Sequence, residues 1–246
     1  MPLPDNRETK SVSAPTGFLV VDKPEGISSM GAVAAVKRRF RWFGRVRAGH
    51  GGTLDPLATG VLVIGVGTAT RMLERVVSAD KEYRTLVDLS AFTTTDDREG
   101  ERTEVLVPAA PSESTVLEAL ERFRGEVRQR PPAFSAIKVR GRRAYRLARS
   151  GEAPEMPERI VRIDRVDLIA YRWPFVELRI ACGKGTYIRS IARDLGTSLG
   201  TGGHCASLRR TAVGVFTESI ARPLDDLPET LDASDLLDID LAGSRR

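Results

Sequence analysis

The stretch from Gly49 to Gly60, Gly-His-Gly-Gly-Thr-Leu-Asp-Pro-Leu-Ala-Thr-Gly, restricts the fold more than any other part of the chain. Its four glycines in twelve residues let the backbone turn tightly or let a ligand come close. They bracket one carboxylate, Asp55, and Pro56 biases that residue towards an extended conformation and away from helix. The apolar run Val61-Leu62-Val63-Ile64 follows at once and reads as a buried strand. The segment is therefore a shaped loop that leads into the core and presents one acid at a controlled angle. An ordinary surface turn uses the same residue types, so the rest of the chain has to decide between the two.

Around this loop the sequence predicts strands and helices in mixed order. Gly17 to Asp22 is a short strand closed by Lys23-Pro24-Glu25-Gly26, and Ser28 or Ser29 caps a helix to about Arg39. Thr70 to Val77 reads as a short helix, Lys81 to Leu89 as a strand carrying Tyr83, and Ser114 to Phe123 as an amphipathic helix. Ile160 to Tyr171 and Phe175 to Cys182 form a hairpin, the first strand broken near Arg165. Thr186 caps a helix to about Leu195, and Leu208 to Phe216 is the last strand. The leucines of the acidic tail, Leu224, Leu227, Leu231, Leu236 and Leu237, predict one more helix. No internal repeat and no strict βαβ alternation occurs, so the fold class is α+β with a mixed or antiparallel sheet.

Charge points to a polyanionic partner. Of 38 basic residues only six are lysine, and arginine forks match phosphate geometry, although a GC-rich genome gives the same bias. The distribution says more: Arg122 to Arg149 holds ten basic residues against one acid, Glu126. Such a block on a globular chain favours nucleic acid. The longest apolar runs are strand-length and the first fifteen residues lack a signal-peptide core, so no membrane span and a cytoplasmic location are expected. Cys182, Cys205, His50 and His204 are too few for a disulfide framework or a zinc centre. Gly183-Lys184-Gly185-Thr186 lacks the upstream glycine of a phosphate loop, and Gly65-Val66-Gly67 lacks the third glycine of a dinucleotide site.

Seven blocks remain, in order: Asp22-Lys23-Pro24-x-Gly26-x-Ser28-Ser29, the Gly49 to Leu62 loop, Asp80-Lys81-x-Tyr83, Gln129-x-Pro131-Pro132-x-x-Ser135-Ala136-x-Lys138, Gly141-Arg142-Arg143-Ala144-Tyr145, Lys184-Gly185-Thr186-Tyr187-Ile188-Arg189 and Leu208-Arg209-Arg210. Together they resemble the TruB family of tRNA pseudouridine synthases from about Gly17 to Phe216. The resemblance implies a pseudouridine synthase fold with a central mixed, largely antiparallel sheet flanked by helices. It implies isomerisation of uridine 55 in the T-loop of tRNA, by base flipping and without cofactor or metal. Asp55 matches the nucleophile, Arg189 its partner cation and Tyr83 the ring that stacks on the flipped uracil. A carboxylate beside a cation is expected to keep a low pKa. Contacts to substrate or RNA fall on Lys23, His50, Leu208, Lys138, Arg142, Arg143, Tyr145 and Lys184, with His50 matching a residue of base flipping. The partner is the T-arm of tRNA, with no membrane, no protein partner and a monomeric enzyme. A base glycosylase or a tRNA-folding chaperone are the alternatives.

The expected organisation is a disordered leader over 1–15, a catalytic domain over 16–220 with an RNA-clasping insertion over about 125–152, and a short acidic tail over 221–246 in place of a C-terminal RNA-binding (PUA) domain. Two positions depart from the family pattern. Thr94 stands where an aspartate supports the active-site network, leaving Asp96 or Asp97 to substitute, and Gly51 replaces a frequent threonine.

Overall fold

A computed structural model describes residues 15–237 apart from 136, 140, 151, 153 and 154. The expected leader, except Pro15, and the end of the acidic tail lie outside the described residues. The run Val61–Ile64 falls inside strand Thr59–Val66, which pairs antiparallel with Gly17–Lys23. Alternate side chains of this pair enter two cores. Leu19, Val21, Leu62 and Ile64 face the larger one; Phe18, Val20, Val61 and Val63 face a smaller one behind the sheet. Burial on both faces explains why these strands read as continuous apolar runs instead of alternating.

Among the described residues the main sheet has ten strands. From one edge their order is Arg222–Pro223, Gly17–Lys23, Thr59–Val66, His204–Val213, Lys81–Asp88, Phe175–Cys182, Arg159–Arg172 and Gly125–Gln129; Ala48–His50 and Phe216–Thr217 pair with Thr59–Val66 and His204–Val213. Two junctions are parallel, Gly17–Lys23 with Arg222–Pro223 and Thr59–Val66 with His204–Val213. The rest are antiparallel, so the mixed, largely antiparallel α+β sheet is as expected. Helices Ser29–Arg39, Glu113–Glu121 and Ile188–Leu199 bury Val33, Val36, Val116, Leu120, Ile191 and Leu195 in the larger core. Each such side chain stabilises the fold by about 1.5–3 kcal/mol.

Several local expectations need physical correction. Ser28 is the cap of the first helix, accepting from Gly31 N at 3.0 Å. Thr186 caps nothing: its hydroxyl donates to Gly183 O at 3.1 Å, and the helix starts at Ile188 with Tyr187 as cap residue. Gln129, at the end of strand Gly125–Gln129, fixes that cap residue by accepting from Tyr187 N at 2.8 Å and donating to Tyr187 O at 3.0 Å. The acidic tail forms no α-helix among its described residues. Pro223 and Pro228 interrupt it, and the chain passes through turns and the short 3-10 turn Ala233–Asp235 with Leu224, Leu227 and Leu231 buried. Arg39 holds it there, donating to Leu224 O and Pro228 O while its own carbonyl accepts from Leu231 N.

Candidate active site

Two separated sequence blocks, Asp22 to Ser29 and Leu208 to Arg210, converge on the Asp55 loop. The Ser29 hydroxyl accepts from Leu54 N at 2.7 Å and donates to Leu54 O at 2.9 Å, fixing the residue before Asp55. Gly26 N donates to Pro56 O at 2.8 Å, fixing the residue after it. Arg210, almost fully buried, donates to Val61 O at 2.8 Å, Gly52 O at 3.2 Å and Thr53 O at 3.3 Å. The glycines answer to this packing. A Cβ at Gly60, where φ is 100°, would overlap the backbone of Arg210, and one at Gly51 would overlap the Val76 side chain. Close approach by the protein itself, not only by a ligand, therefore accounts for these two positions. The threonine that the sequence resemblance leads one to expect at 51 would overlap Val76 as placed.

Lys23 belongs to this scaffold and not to an RNA surface. It is 0% exposed, and its ammonium donates to Pro24 O and Ile27 O, both at 2.8 Å, and to Pro56 O at 3.3 Å. Burial lowers its pKa to about 8, against the opposing pull of Asp55. The expected substrate contact at Lys23 is thus replaced by a brace on the loop, because no face of the ammonium reaches solvent.

Asp55 is one-third exposed, while its partner Arg189 is buried with 4% of its side chain accessible. Arg189 Nη2 lies 2.9 Å from Asp55 Oδ2 and donates to Phe134 O at 2.9 Å; Nη1 lies 3.0 Å from Asp97 Oδ2 and donates to Thr95 O at 2.9 Å. Asp97 is buried and held by the Thr95 hydroxyl at 2.6 Å and Glu99 N at 3.0 Å. Of the two acids that could replace the one missing at Thr94, Asp97 reaches Arg189, whereas Asp96 pairs with Arg193 at 2.7 Å. Thr94 points outward and accepts from Glu101 N. The expected low pKa of Asp55 does not follow. Burial raises it, the Arg189 guanidinium pulls it down, and the neighbouring Asp97 pushes it up again.

Asp55 and Arg189 line a cavity of ≈ 340 Å³ whose walls include Tyr83, Leu208, Ile188, Tyr187, Lys184 and Arg210. Tyr83 sits opposite Arg210 in register, and Leu208 opposite Thr85, so adjacent strands supply the aromatic and aliphatic walls. Burial raises the Tyr83 phenol above its usual value, so at neutral pH it is a protonated ring. His50 ends strand Ala48–His50 beside the cavity; burial and Arg210 lower its pKa, and its buried Nδ1 has no partner among the described residues. The cavity does not include the Arg142 region. Arg142 is exposed on a small hairpin and pairs with Glu152 at 3.2 Å, and Tyr145 is half-buried at the start of helix Ala144–Arg149. The side chains of Lys138 and Arg143 lie outside the described residues. Among the described residues no cluster of His, Cys, Asp and Glu could hold a metal ion.

The match to known proteins agrees with this geometry. Residues 38–188 fit the model of the TruB family pseudouridylate synthase N-terminal domain. The chain belongs to the TruB family. Residues 189–238 fit a second TruB model, described as the tRNA pseudouridylate synthase B C-terminal domain, so the family pattern continues through the buried leucines of the tail. The tRNA pseudouridine synthase B of Corynebacterium diphtheriae is 44% identical over 94% of this chain and 78% of its own length. That of Mycobacterium tuberculosis (strain H37Rv) is 46% identical over 87% of this chain and 72% of its own length. Among solved structures, a chain of the Cbf5-Nop10-Gar1 complex matches with a TM-score of 0.63 at 30% identity, covering 82% of this chain and 50% of that one. The TruB chain thus spans about half the length of that Cbf5 structure. Sequence reasoning underrated Arg210, visible only as part of the Leu208-Arg209-Arg210 block. It could not choose Asp97 over Asp96, since adjacent acids differ only in which way the turn points them.

Proposed function

We propose that this TruB-family enzyme converts uridine 55 in the T-loop of tRNA to pseudouridine, with Asp55 as nucleophile. One observation carries the reading: a carboxylate paired to a buried guanidinium on the wall of a cavity whose lining also includes Tyr83, Leu208 and Ile188. A flat, uncharged base fits such a cavity, with Tyr83 stacked on its face. The reaction is an isomerisation. The N1–C1′ bond breaks, a C5–C1′ bond forms, and the proton on C5 is lost as N1 gains one, so no oxidant or reductant is needed. Asp55 attacks as the carboxylate, at C1′ or at ring C6, and Arg189 stabilises the ionised form and fixes its orientation. Entry requires the nucleotide to flip out of the loop, costing a few kcal/mol that contacts elsewhere offset. The finer assignments of the basic block, Lys138, Arg142, Arg143 and Tyr145 with Lys184 at the cavity rim, belong to those contacts.

The deciding experiment uses unmodified tRNA carrying tritium at uridine C5. Tritium release with the base retained in the RNA, lost in Asp55→Asn while binding survives, is the expected result. Free uracil as product would replace the isomerase with a glycosylase, and binding without tritium release from wild-type protein would leave a chaperone.

A further inference from the structure

A second cationic stretch precedes the Asp55 loop. Between Ile27 and Leu73 Asp55 is the only acidic residue, while Lys37, Arg38, Arg39, Arg41, Arg45 and Arg47 fall within eleven positions. Arg39 is tied to the tail. The other five are exposed, and none of them pairs with a carboxylate among the described residues. That sets them apart from Arg84, Arg98, Arg102, Arg162 and Arg165, each of which has an acidic partner.

The turn that carries them is anchored. Phe40 and Val46 are buried and Phe43 packs on the same core, with Phe40 and Phe43 ring centroids 6.3 Å apart. Gly44, at φ 70°, closes the turn with open space where a Cβ would be. Trp42 falls on the outward side, 75% exposed, with the Arg41 guanidinium 5.6 Å from its ring centroid. A buried frame thus holds the indole in water among cations that have no carboxylate partner among the described residues. Lys37, Arg45 and Arg47 line a cavity of ≈ 350 Å³ together with Val46, Ala48, Gly49 and Thr70, and the same chain leads directly to His50 and the Asp55 loop.

We propose that Trp42 and its neighbouring cations form a second nucleotide-docking site, in which an unpaired base of the RNA stacks on the indole while its phosphates lie against Arg41, Arg45 and Lys37. Stacking of this kind accepts any base, because each presents a π face, and the guanidinium adds a cation–π contact. The inference rests on RNA being the substrate, and places a nucleotide outside the catalytic cavity, where it helps to offset the cost of flipping the target. A surface held by cations alone would need no exposed ring.

The chain has two tryptophans, Trp42 and Trp173, so Trp173→Phe leaves Trp42 as the sole indole reporter in this chain. Titration with unmodified tRNA is expected to quench its fluorescence saturably. Trp42→Ala should raise the Kd for that RNA roughly 5- to 100-fold, Trp42→Phe should retain most of the affinity, and Trp42→Leu should behave as alanine does. Unchanged fluorescence together with unchanged affinity in Trp42→Ala would overturn the proposal. So would leucine serving as well as phenylalanine, or a response to anionic phospholipid vesicles but not to RNA. Tritium release by wild-type protein, measured in parallel, separates this outcome from failure of the isomerase reading, since quenching and catalysis are read independently.

Discussion

Asp97 Oδ2 lies 3.0 Å from Arg189 Nη1, on the opposite end of the guanidinium from Asp55. One cation therefore serves two carboxylates, and Asp97 acts on Asp55 in two opposed ways. It anchors Arg189, and its charge raises the pKa of Asp55. Asp97→Asn should lower the plateau rate by roughly 10- to 100-fold through loss of positioning, while moving the acid limb of the rate profile to lower pH. A merely structural role would depress the rate without moving the limb, so single-turnover tritium release across pH separates the two.

The same electrostatics fix the wild-type profile. In the proposed mechanism Asp55 attacks as the anion, and burial raises its pKa from the usual carboxylate value. The acid limb should accordingly sit above the range of an exposed aspartate and fall as pH drops through the raised value. Arg189→Met removes the largest opposing effect and should push the limb further up while reducing the rate. Single-turnover rates for both proteins from pH 4 upward test this, and a downward shift in Arg189→Met would contradict it.

The fold was largely legible because its signals are local. Alternation and turn residues located the strands around Tyr83 and Phe175 to within a residue or two, and a serine marked the first helix. The tail was misread because leucines three or four apart suit a helix or a groove equally, and only Arg39 and the prolines decide between them. Within the site, Asp55, Tyr83, Leu208 and Arg189 meet at one cavity. Lys23 could not be placed from sequence, since an exposed and a buried lysine look alike until the carbonyls around the ammonium are known. The pKa of Asp55 escaped for the same reason: pairing was visible, burial was not.

Ser29 tests how the loop is held. Its hydroxyl satisfies both backbone groups of Leu54 in a buried setting. Ser29→Ala should destabilise the protein by about 1–3 kcal/mol, the cost of leaving buried polar groups unpaired. It should also lower kcat more than it raises KM, because the displaced element carries Asp55 and not the RNA-binding surface. Denaturant unfolding and steady-state kinetics on the same preparation measure both effects.

Gly51 offers a packing test. Gly51→Thr drives the new Cβ into Val76. The expected cost is about 1–3 kcal/mol, as for other overpacked cores. Val76→Ala alone should also destabilise the protein, since Val76 is buried in the smaller core. Combined with Gly51→Thr it should recover part of the loss, because the new side chain occupies the volume that valine vacates. Thermal unfolding of the two single variants and the double variant closes the cycle. Strict additivity would mean that the two side chains do not compete for the same space, and that Gly51 answers to something other than Val76.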